Sequence, residues 1–340
     1  MSEYKEIRGT RIQRVTSDPD SFQGGLVWYR TDTNQYKIQQ AVPTGAWGSN
    51  PSVNTGRGAQ QGSAGKSISS AIIFGGSTAA GFIETLNTES YDGTSWTEVN
   101  DMNTGSRNAS GSGLTTSALC VHGEDPNASP EYLNDTESWN GTNWTSVNDH
   151  NTSSDHSTMS SPPAGTSTSA LTFGGNNPAL PSNYVVTTES WNGTNWTDTG
   201  HSLNTGRYYL GSSGTATDVI AIGGYGGSPG SPRQKTESYN GTTWTELNDV
   251  GVDAFYGHTA NGTSTNALMT TGNPSSNVTL SWNGTNWTSI GEFNIDRNKA
   301  TGAGAGSTTG LAIGGISPVT GGVVSVEIWE QPGRVKKILE

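Results

Sequence analysis

Thr136-Glu137-Ser138-Trp139-Asn140-Gly141-Thr142-Asn143-Trp144-Thr145 is the stretch that decides the fold, because copies of it recur along the chain. Four further copies begin at Thr88, Thr188, Thr236 and Thr279, and a shortened sixth begins at Val326. Successive copies are spaced by 43 to 52 residues, measured at their first aromatic residues: Tyr91, Trp139, Trp191, Tyr239, Trp282 and Trp329. A period of this length indicates a repeat architecture with one supersecondary unit per copy.

Each copy has the signature of a β-hairpin. Asn-Gly or Asp-Gly between β-forming residues is the strongest short hairpin signal, since a type I′ turn needs positive φ at both central residues. A two-residue turn at Asn140-Gly141 predicts three opposed pairs: Trp139 with Thr142, Ser138 with Asn143, and Glu137 with Trp144. The two tryptophans would then be diagonal neighbours on one face of the hairpin, where they can pack against the next sheet.

Two more strands precede each hairpin. An apolar run ending in small residues lies about 15 residues upstream, as in Ala71-Ile72-Ile73-Phe74-Gly75-Gly76, and a run of small residues such as Gly302 to Gly306 lies before it. Four strands per repeat and six repeats predict an all-β protein, a six-bladed β-propeller over residues 45–332.

The ring is predicted to close with a strand from the other end of the chain. The sixth copy has Trp329 but no second tryptophan, whereas Trp47 lies 49 residues before Trp96, one repeat length. Asn54-Thr55-Gly56-Arg57 follows Trp47 and matches the linker Asn204-Thr205-Gly206-Arg207. We therefore expect the strand around Trp47 to complete the blade that contains Trp329, since an unpaired strand would leave an open edge.

Composition excludes several classes of protein. Charged residues are only 14% of the 340 positions, yet the chain has 11 Trp and 11 Tyr, which argues against disorder. No apolar run is long enough to span a membrane, and the charged N-terminus has no signal-peptide core. Residues 45–332 hold 8 Lys/Arg against 23 Asp/Glu, so we expect no nucleic-acid partner. The single cysteine, Cys120, lies in an apolar run and is expected to be a buried thiol.

The two ends of the chain form segments of a different kind. Residues 1–44 contain a predicted hairpin, 25–29 against 35–39, and residues 333–340 form a short basic tail. An isolated two-stranded hairpin is marginal in water, so this one is expected to pack on the ring, on a copy of itself or on another protein. The ends carry net charges of +1 and +2, against −15 for the ring. If ring closure brings them together, they would pool positive charge on one side.

The ring resembles the kelch repeat, as in the central domain of galactose-oxidase-like proteins: a strand ending in Gly-Gly, an aromatic residue before a turn, then Trp. That resemblance implies a propeller, and in the oxidases a copper site with Tyr and His ligands and a Tyr–Cys cross-link. The five histidines show no convincing ligand spacing; they are His122, His150, His156, His201 and His258. Copper-oxidase activity is therefore disfavoured, and we expect no cofactor and no catalytic residues.

The N-terminal stretch from Val15 through Gly24-Gly25-Leu26-Val27-Trp28-Tyr29 to Ile38 resembles a short segment that introduces tail-fibre and other virion proteins of tailed bacteriophages. The resemblance implies a structural protein of a virion, assembled in the host cytoplasm, whose N-terminal segment binds other tail proteins. Several copies are expected to assemble within the particle. A stand-alone glycan-binding propeller is the alternative function, and an oxidase-like enzyme is a third.

Two sets of residues on the ring invite a functional interpretation. Five of six repeats carry a glutamate at one position, which favours a structural role with linker arginines or backbone N–H groups as partners; Leu280 takes that position in the fifth. The loops between second and third strands vary most, and variable loops on a rigid scaffold often bind ligands. Their tyrosines could stack on sugar rings of a host surface: Tyr132, Tyr184 and Tyr225.

Overall fold

The computed structural model describes residues 13–16, 27–32, 34–38, 45–58, 62–78, 83–127, 131–154, 158–159, 166–226, 233–254, 260–270, 278–317, 321–330 and 336–337. The chain divides into two compact units, Ala46–Glu330 and a smaller one of Met1–Gly45 with Gln331–Glu340. Every regular element in the described ranges is a β-strand. No helix in these ranges is long and apolar enough to cross a membrane.

The larger unit is a six-bladed β-propeller of four-stranded antiparallel sheets. The first three blades have the strands Gly62–Ser67, Ser70–Phe74, Thr88–Tyr91 and Trp96–Val99; Ser110–Leu114, Ser117–Val121, Thr136–Trp139 and Trp144–Val147; and Thr158–Met159, Ala170–Phe173, Thr187–Trp191 and Trp196–Ser202. The last three have Gly211–Thr215, Asp218–Ile222, Thr236–Tyr239 and Trp244–Glu246; Ala260–Thr263, Asn266–Thr270, Val278–Trp282 and Trp287–Glu292; and Thr301–Gly306, Thr309–Ile313, Val326–Glu330 and Ala46–Asn50. Three short pairs flank the blades: Arg57–Gly58 with Ser77–Thr78, Arg207–Tyr208 with Tyr225–Gly226, and Ile316–Ser317 with Gly321–Gly322.

The first strands meet at the centre of the ring, each in contact with the first strands of both neighbouring blades. Small residues are required there because the backbones approach closely. A Cβ on Gly111, in blade 2, would lie 2.4 Å from the carbonyl oxygen of Ser63, in blade 1. The glycine-rich composition of these strands is therefore a packing requirement of the ring.

The hydrophobic core lies between adjacent blades. The second strand of blade 1 is buried from Ala71 to Phe74, and Phe74 meets the ring of Trp144 in blade 2 edge-on, with centroids 4.8 Å apart. Phe173 and Trp244 make the same contact between blades 3 and 4, at 4.9 Å. The apolar second strand and the second tryptophan of the repeat thus belong to one interface that recurs around the ring.

The hairpin register differs from the one that the sequence predicts. Trp139 pairs with Trp144 directly, Ser138 with Thr145 and Glu137 with Ser146, so the loop has four residues. The predicted pairs Trp139 with Thr142, Ser138 with Asn143 and Glu137 with Trp144 are wrong. The reason is the Asn140 side chain, whose Oδ1 accepts hydrogen bonds from the backbone N–H groups of Thr142 and Asn143. This cap organises a longer loop in which only Gly141 has positive φ, 92°.

Ring closure occurs as the sequence predicts. Ala46–Asn50 is the fourth strand of blade 6, antiparallel to Val326–Glu330, and Trp47 lies directly opposite Trp329. The centroids of these two rings are 5.7 Å apart, and Trp47 is 4.7 Å from Phe293. The two ends of the repeat array are therefore joined within one sheet, which removes the open edge.

The second tryptophan of five blades donates its indole N–H to a threonine hydroxyl in the preceding blade. The donor–acceptor distances are 2.7–3.1 Å for Trp47 to Thr279, Trp144 to Thr88, Trp196 to Thr136, Trp244 to Thr188 and Trp287 to Thr236. The sixth such tryptophan is Trp96, and the corresponding position in blade 6 is Val326, in the same apolar cluster. The buried Nε1 of Trp96 has no hydrogen-bond partner among the described residues.

Val326→Thr is therefore expected to stabilise the ring by supplying the missing acceptor. A buried donor that gains its bond contributes about 1 kcal/mol, which corresponds to a rise of about 2 °C in Tm for a domain of this size. Thermal unfolding followed by circular dichroism measures the effect. Thr236→Val is the matched control, because it removes the acceptor of Trp287 and should lower Tm. A Val326→Thr variant less stable than the parent chain would contradict this interpretation.

The smaller unit contains one four-stranded sheet. Val27–Arg30 and Gln35–Ile38 form an antiparallel hairpin, close to the predicted 25–29 and 35–39. Gln13–Val15 adds to it in parallel, and Lys336–Lys337 pairs with Gln35–Ile38 on the other side. The segment 333–340, which the sequence predicts to be a basic tail, thus contributes the strand Lys336–Lys337 to the N-terminal sheet. A hairpin gains from such additions because they occupy its exposed edges.

Candidate functional site

The recurring glutamates bind the linkers between blades. The Glu237 carboxylate accepts bonds from the backbone N–H and the side-chain amide of Asn204, at 2.8 and 2.9 Å, and from Nη2 of Arg207 at 2.7 Å. Both charged side chains are buried. Burial lowers the pKa of Arg207, and the neighbouring Glu237 opposes that shift. The same ion pair joins Arg57 to Glu89 and Arg297 to Glu327.

Blades 2 and 5 depart from this pattern. Arg107, which the sequence offers as a partner for a recurring glutamate, pairs with Glu124 instead. In its place His122 lies 3.1 Å from the Glu137 carboxylate through Nε2 and hydrogen-bonds Ser106 through Nδ1. Burial raises the pKa of Glu137, but the bonds from His122 and the Asn103 and Thr104 N–H groups outweigh it and lower the pKa overall. In blade 5, Leu280 replaces the glutamate, and its neighbour Ala254 fills the arginine position.

The loops of blades 3 and 4 bring tyrosines together. The Tyr184 and Tyr208 rings stack with centroids 6.0 Å apart and 20° between planes, and the Tyr225 ring meets Tyr208 edge-on at 5.4 Å. Tyr209 completes the group, at 4.7 Å from Tyr208. Tyr209 is buried while the other three are half-buried. We call these four residues the tyrosine cluster.

Backbone pairing and two cations hold the tyrosine cluster in place. Tyr208 and Tyr225 are opposed in a short antiparallel pair, which fixes the distance between their rings. The Arg233 guanidinium lies 5.8 Å from the Tyr225 centroid, and Nζ of Lys299 lies 5.4 Å from that of Tyr209. Cations at these distances are attracted by the ring faces. The cluster is therefore a preorganised aromatic surface with two cationic side chains at its margin, of which Arg233 also lies 3.6 Å, through Nη1, from Oδ2 of Asp253.

Of the three tyrosines that the sequence singles out, the structure groups Tyr184 with Tyr225. Tyr132 belongs to blade 2, where its backbone bridges Glu124. Sequence reasoning missed Tyr208, which touches each of the other three rings. The sequence contained a signal, because Tyr208-Tyr209 directly follows the linker arginine Arg207, whereas the polar pair Asn298-Lys299 follows the equivalent Arg297.

The residues considered for redox chemistry are dispersed. Cys120 is buried in an apolar cluster, and burial raises its pKa well above the usual value for a thiol. His201 hydrogen-bonds the Tyr239 hydroxyl at 2.9 Å. His156 and His258 lie outside the described residues. Within the described ranges, no three His, Cys, Asp or Glu side chains are grouped as metal ligands.

The solved structure of YjhT resembles this chain, with a TM-score of 0.65, at 15% sequence identity. The match covers 85% of this chain and 99% of that one. No family model and no curated protein sequence matches the chain. At this identity the likeness shows the fold alone, a six-bladed β-propeller, and this fold supports many unrelated functions.

Proposed function

We propose that the protein is a non-enzymatic component of a phage virion, in the tail or a tail fibre, and that its ring contacts carbohydrate on the host surface. The observation that carries the contact is the tyrosine cluster. Three half-buried rings and two cations converge where variable loops leave a rigid scaffold, which is the usual position for a binding site.

The chemistry of the cluster suits a sugar ligand. A tyrosine ring offers an apolar face to the C–H groups of a sugar ring and a hydroxyl that donates or accepts a hydrogen bond. Stacking and edge contacts hold Tyr184, Tyr208 and Tyr225 in fixed orientations, so little side-chain entropy remains to be lost on binding.

The proposed place in a virion rests on the smaller unit. The segment from Val15 to Ile38 resembles the segment that introduces tail-fibre and other virion proteins. Within and just before this segment, Gln13–Val15, Val27–Arg30 and Gln35–Ile38 form a sheet of their own, to which Lys336–Lys337 contributes a strand. A small unit with its own sheet, in a chain whose ring closes without it, suits an adaptor that binds other tail proteins. Residues 1–44 and 333–340 carry net positive charge, which would favour an acidic partner surface.

Deletion of residues 1–40 is expected to leave a folded ring that no longer incorporates into particles. The closing strand Ala46–Asn50 is retained, so the sixth blade keeps its four strands. Mass spectrometry of purified particles from cells that express either the deleted or the complete chain measures incorporation. The control is thermal unfolding of the deleted chain, which should remain cooperative. Normal incorporation of the deleted chain would refute the adaptor role, and absence of the complete chain would refute the virion role.

The tyrosine cluster equally favours the second candidate, a stand-alone glycan-binding propeller. The two candidates differ in their partner, since only the first requires other tail proteins. Presence of the complete chain in purified particles favours the first. A monomer that binds sugar and is absent from particles favours the second.

Tyr208→Ala is expected to weaken binding of a host-surface polysaccharide about tenfold or more, since it removes the central ring of the cluster; tenfold corresponds to about 1.4 kcal/mol. Isothermal titration calorimetry with polysaccharide purified from a susceptible host measures the affinity. Arg107→Ala is the matched control, because Arg107 pairs with Glu124 in blade 2 as Tyr208 pairs with Tyr225 in blade 4. Equal loss in both variants, or none in Tyr208→Ala, would contradict a binding role for the cluster.

A further inference from the structure

Three blades share a buried socket that holds a guanidinium group. In blade 4, Nη1 of Arg207 donates to the carbonyl oxygens of Gly223 and Lys235, at 2.5 and 3.0 Å, while Nη2 donates to Glu237. Blades 1 and 6 repeat the arrangement with the same three acceptors: Gly75, Asn87 and Glu89 around Arg57, and Gly314, Ser325 and Glu327 around Arg297. A cation bound by two carbonyl groups and a carboxylate is thus a recurrent feature of this ring.

Blade 3 keeps the acceptor positions but lacks the arginine. Asn151 binds Glu189 through its backbone N–H and side-chain amide, as Asn204 binds Glu237. Three residues after Asn151, where the arginine would stand, is the small side chain of Ser154. A small cavity lies there, partly open to solvent and with room for about one water-sized molecule. Its lining includes the three residues equivalent to the guanidinium acceptors: Gly174, Thr187 and Glu189.

Polar groups around this cavity are unsatisfied. Nε2 of His150 and Oγ1 of Thr172 are buried, line the cavity and have no hydrogen-bond partner among the described residues. Both bonds from Asn151 end on Oε2 of Glu189, whereas Oε1 is the atom that meets the arginine in blade 4. Burial lowers the pKa of His150 to about 4, so the imidazole is neutral near pH 7. Glu189 is 2% exposed, and within the described ranges no arginine or lysine forms a salt bridge with it.

Other blades avoid such an unbalanced carboxylate. Blade 2 places His122 against Glu137, and blade 5 replaces the glutamate by Leu280 together with Ala254 at the arginine position. A buried carboxylate without a partner is costly, so each of these substitutions has a physical reason. In blade 3 a buried carboxylate without a salt-bridge partner among the described residues lies beside a cavity.

We propose that the blade 3 socket binds a small monovalent nitrogen cation, for which ammonium is the probe. The cation would donate N–H bonds to the Glu189 carboxylate, to Nε2 of neutral His150 and to the Thr172 hydroxyl, and so would satisfy the two buried atoms that lack a partner. Ammonium has nearly the size of a water molecule, which a polar cavity with two to four partners can hold. The site is independent of the tyrosine cluster and of any virion role.

The test is thermal unfolding of the complete chain in ammonium chloride and in tetramethylammonium chloride at equal ionic strength. Tetramethylammonium has no N–H donor and exceeds the cavity. We expect Tm to rise with ammonium concentration, by about 2–4 °C at ten times Kd, and to go on rising logarithmically above that concentration. The double variant Ser154→Ala, Glu189→Leu has the same residues as blade 5, alanine and leucine, at the two equivalent positions. It is expected to abolish the difference in Tm between the two salts.

A second variant tests whether the socket is equivalent to the arginine-filled sockets of the other blades. Ser154→Arg should fill the cavity with a guanidinium from the chain itself, raise Tm without ammonium and abolish the response to ammonium. Two results would overturn the proposal: the same Tm for the unmodified chain in both salts, or an undiminished ammonium response in the Ser154→Ala, Glu189→Leu variant. Each can be read whether or not Ser154→Arg folds.

Discussion

Trp47→Ala is expected to lower the free energy of unfolding by about 3–5 kcal/mol, the range for large aromatic truncations in a core. Trp47 is 6% exposed, contacts the rings of Trp329 and Phe293, and donates a 2.7 Å hydrogen bond to Thr279 in blade 5. The substitution therefore leaves a cavity in the strand that closes the ring and an unsatisfied hydroxyl in the neighbouring blade. Chemical denaturation followed by tryptophan fluorescence measures the loss.

Two variants make this result interpretable. Trp47→Phe retains most of the ring contacts and should cost less than Trp47→Ala. Ile83→Ala removes an apolar side chain that is 66% exposed, so it should change stability by no more than about 0.5 kcal/mol. A loss below about 1 kcal/mol in Trp47→Ala would show that closure does not depend on this side chain.

Arg207→Met is expected to destabilise the ring by about 3–5 kcal/mol, because it leaves the buried Glu237 carboxylate without its cation. The Asn204 N–H groups remain as partners of Glu237 but carry no full charge. Measured unfolding free energies of this variant and the parent chain give the loss directly.

Glu237→Leu in the same chain is expected to regain at least about 2 kcal/mol of that loss, since it removes the uncompensated charge. Blade 5 is the natural precedent, because Leu280 and Ala254 replace both members of the pair there. Recovery is incomplete because the Asn204 donors lose their acceptor. A double variant no more stable than Arg207→Met would show that charge burial is not the source of the effect.

The hairpins show how far local rules reach. The position of every turn, and the placing of the two aromatic residues on one face, follow from the Asn-Gly signal and the period of two. The register does not, because it depends on whether the Asn140 side chain caps the loop N–H groups or Asn140 itself adopts positive φ. Both loops are compatible with the same ten residues, so the pairing of Trp139 with Trp144 had to be observed.

The ion pairs and the tyrosine cluster depend on contacts between residues that are distant in the sequence. The sequence indicates that a recurring glutamate needs a partner and offers backbone N–H groups or linker arginines, and the arginine is right for Arg57, Arg207 and Arg297. It fails for Arg107, because Ser106 stands at the equivalent position and His122 enters the socket from the end of the second strand. Tyr208 was missed for a similar reason: its neighbours, Tyr184 and Tyr225, come from loops of two different blades.

The sequence by itself determined the six repeats, the four strands of each blade, and the closure of the ring through Trp47 and Trp329. These features follow from the periodicity of the repeats, because every copy has the same local preferences for strands and turns. Only the tertiary structure decided which side chains meet across blade boundaries. It showed that Trp96 has no threonine acceptor, that the tyrosine cluster forms, and that a cavity lies beside Glu189. Such contacts depend on the shapes and charges that two neighbouring blades contribute to one interface, and a repeat pattern read along the chain does not specify them.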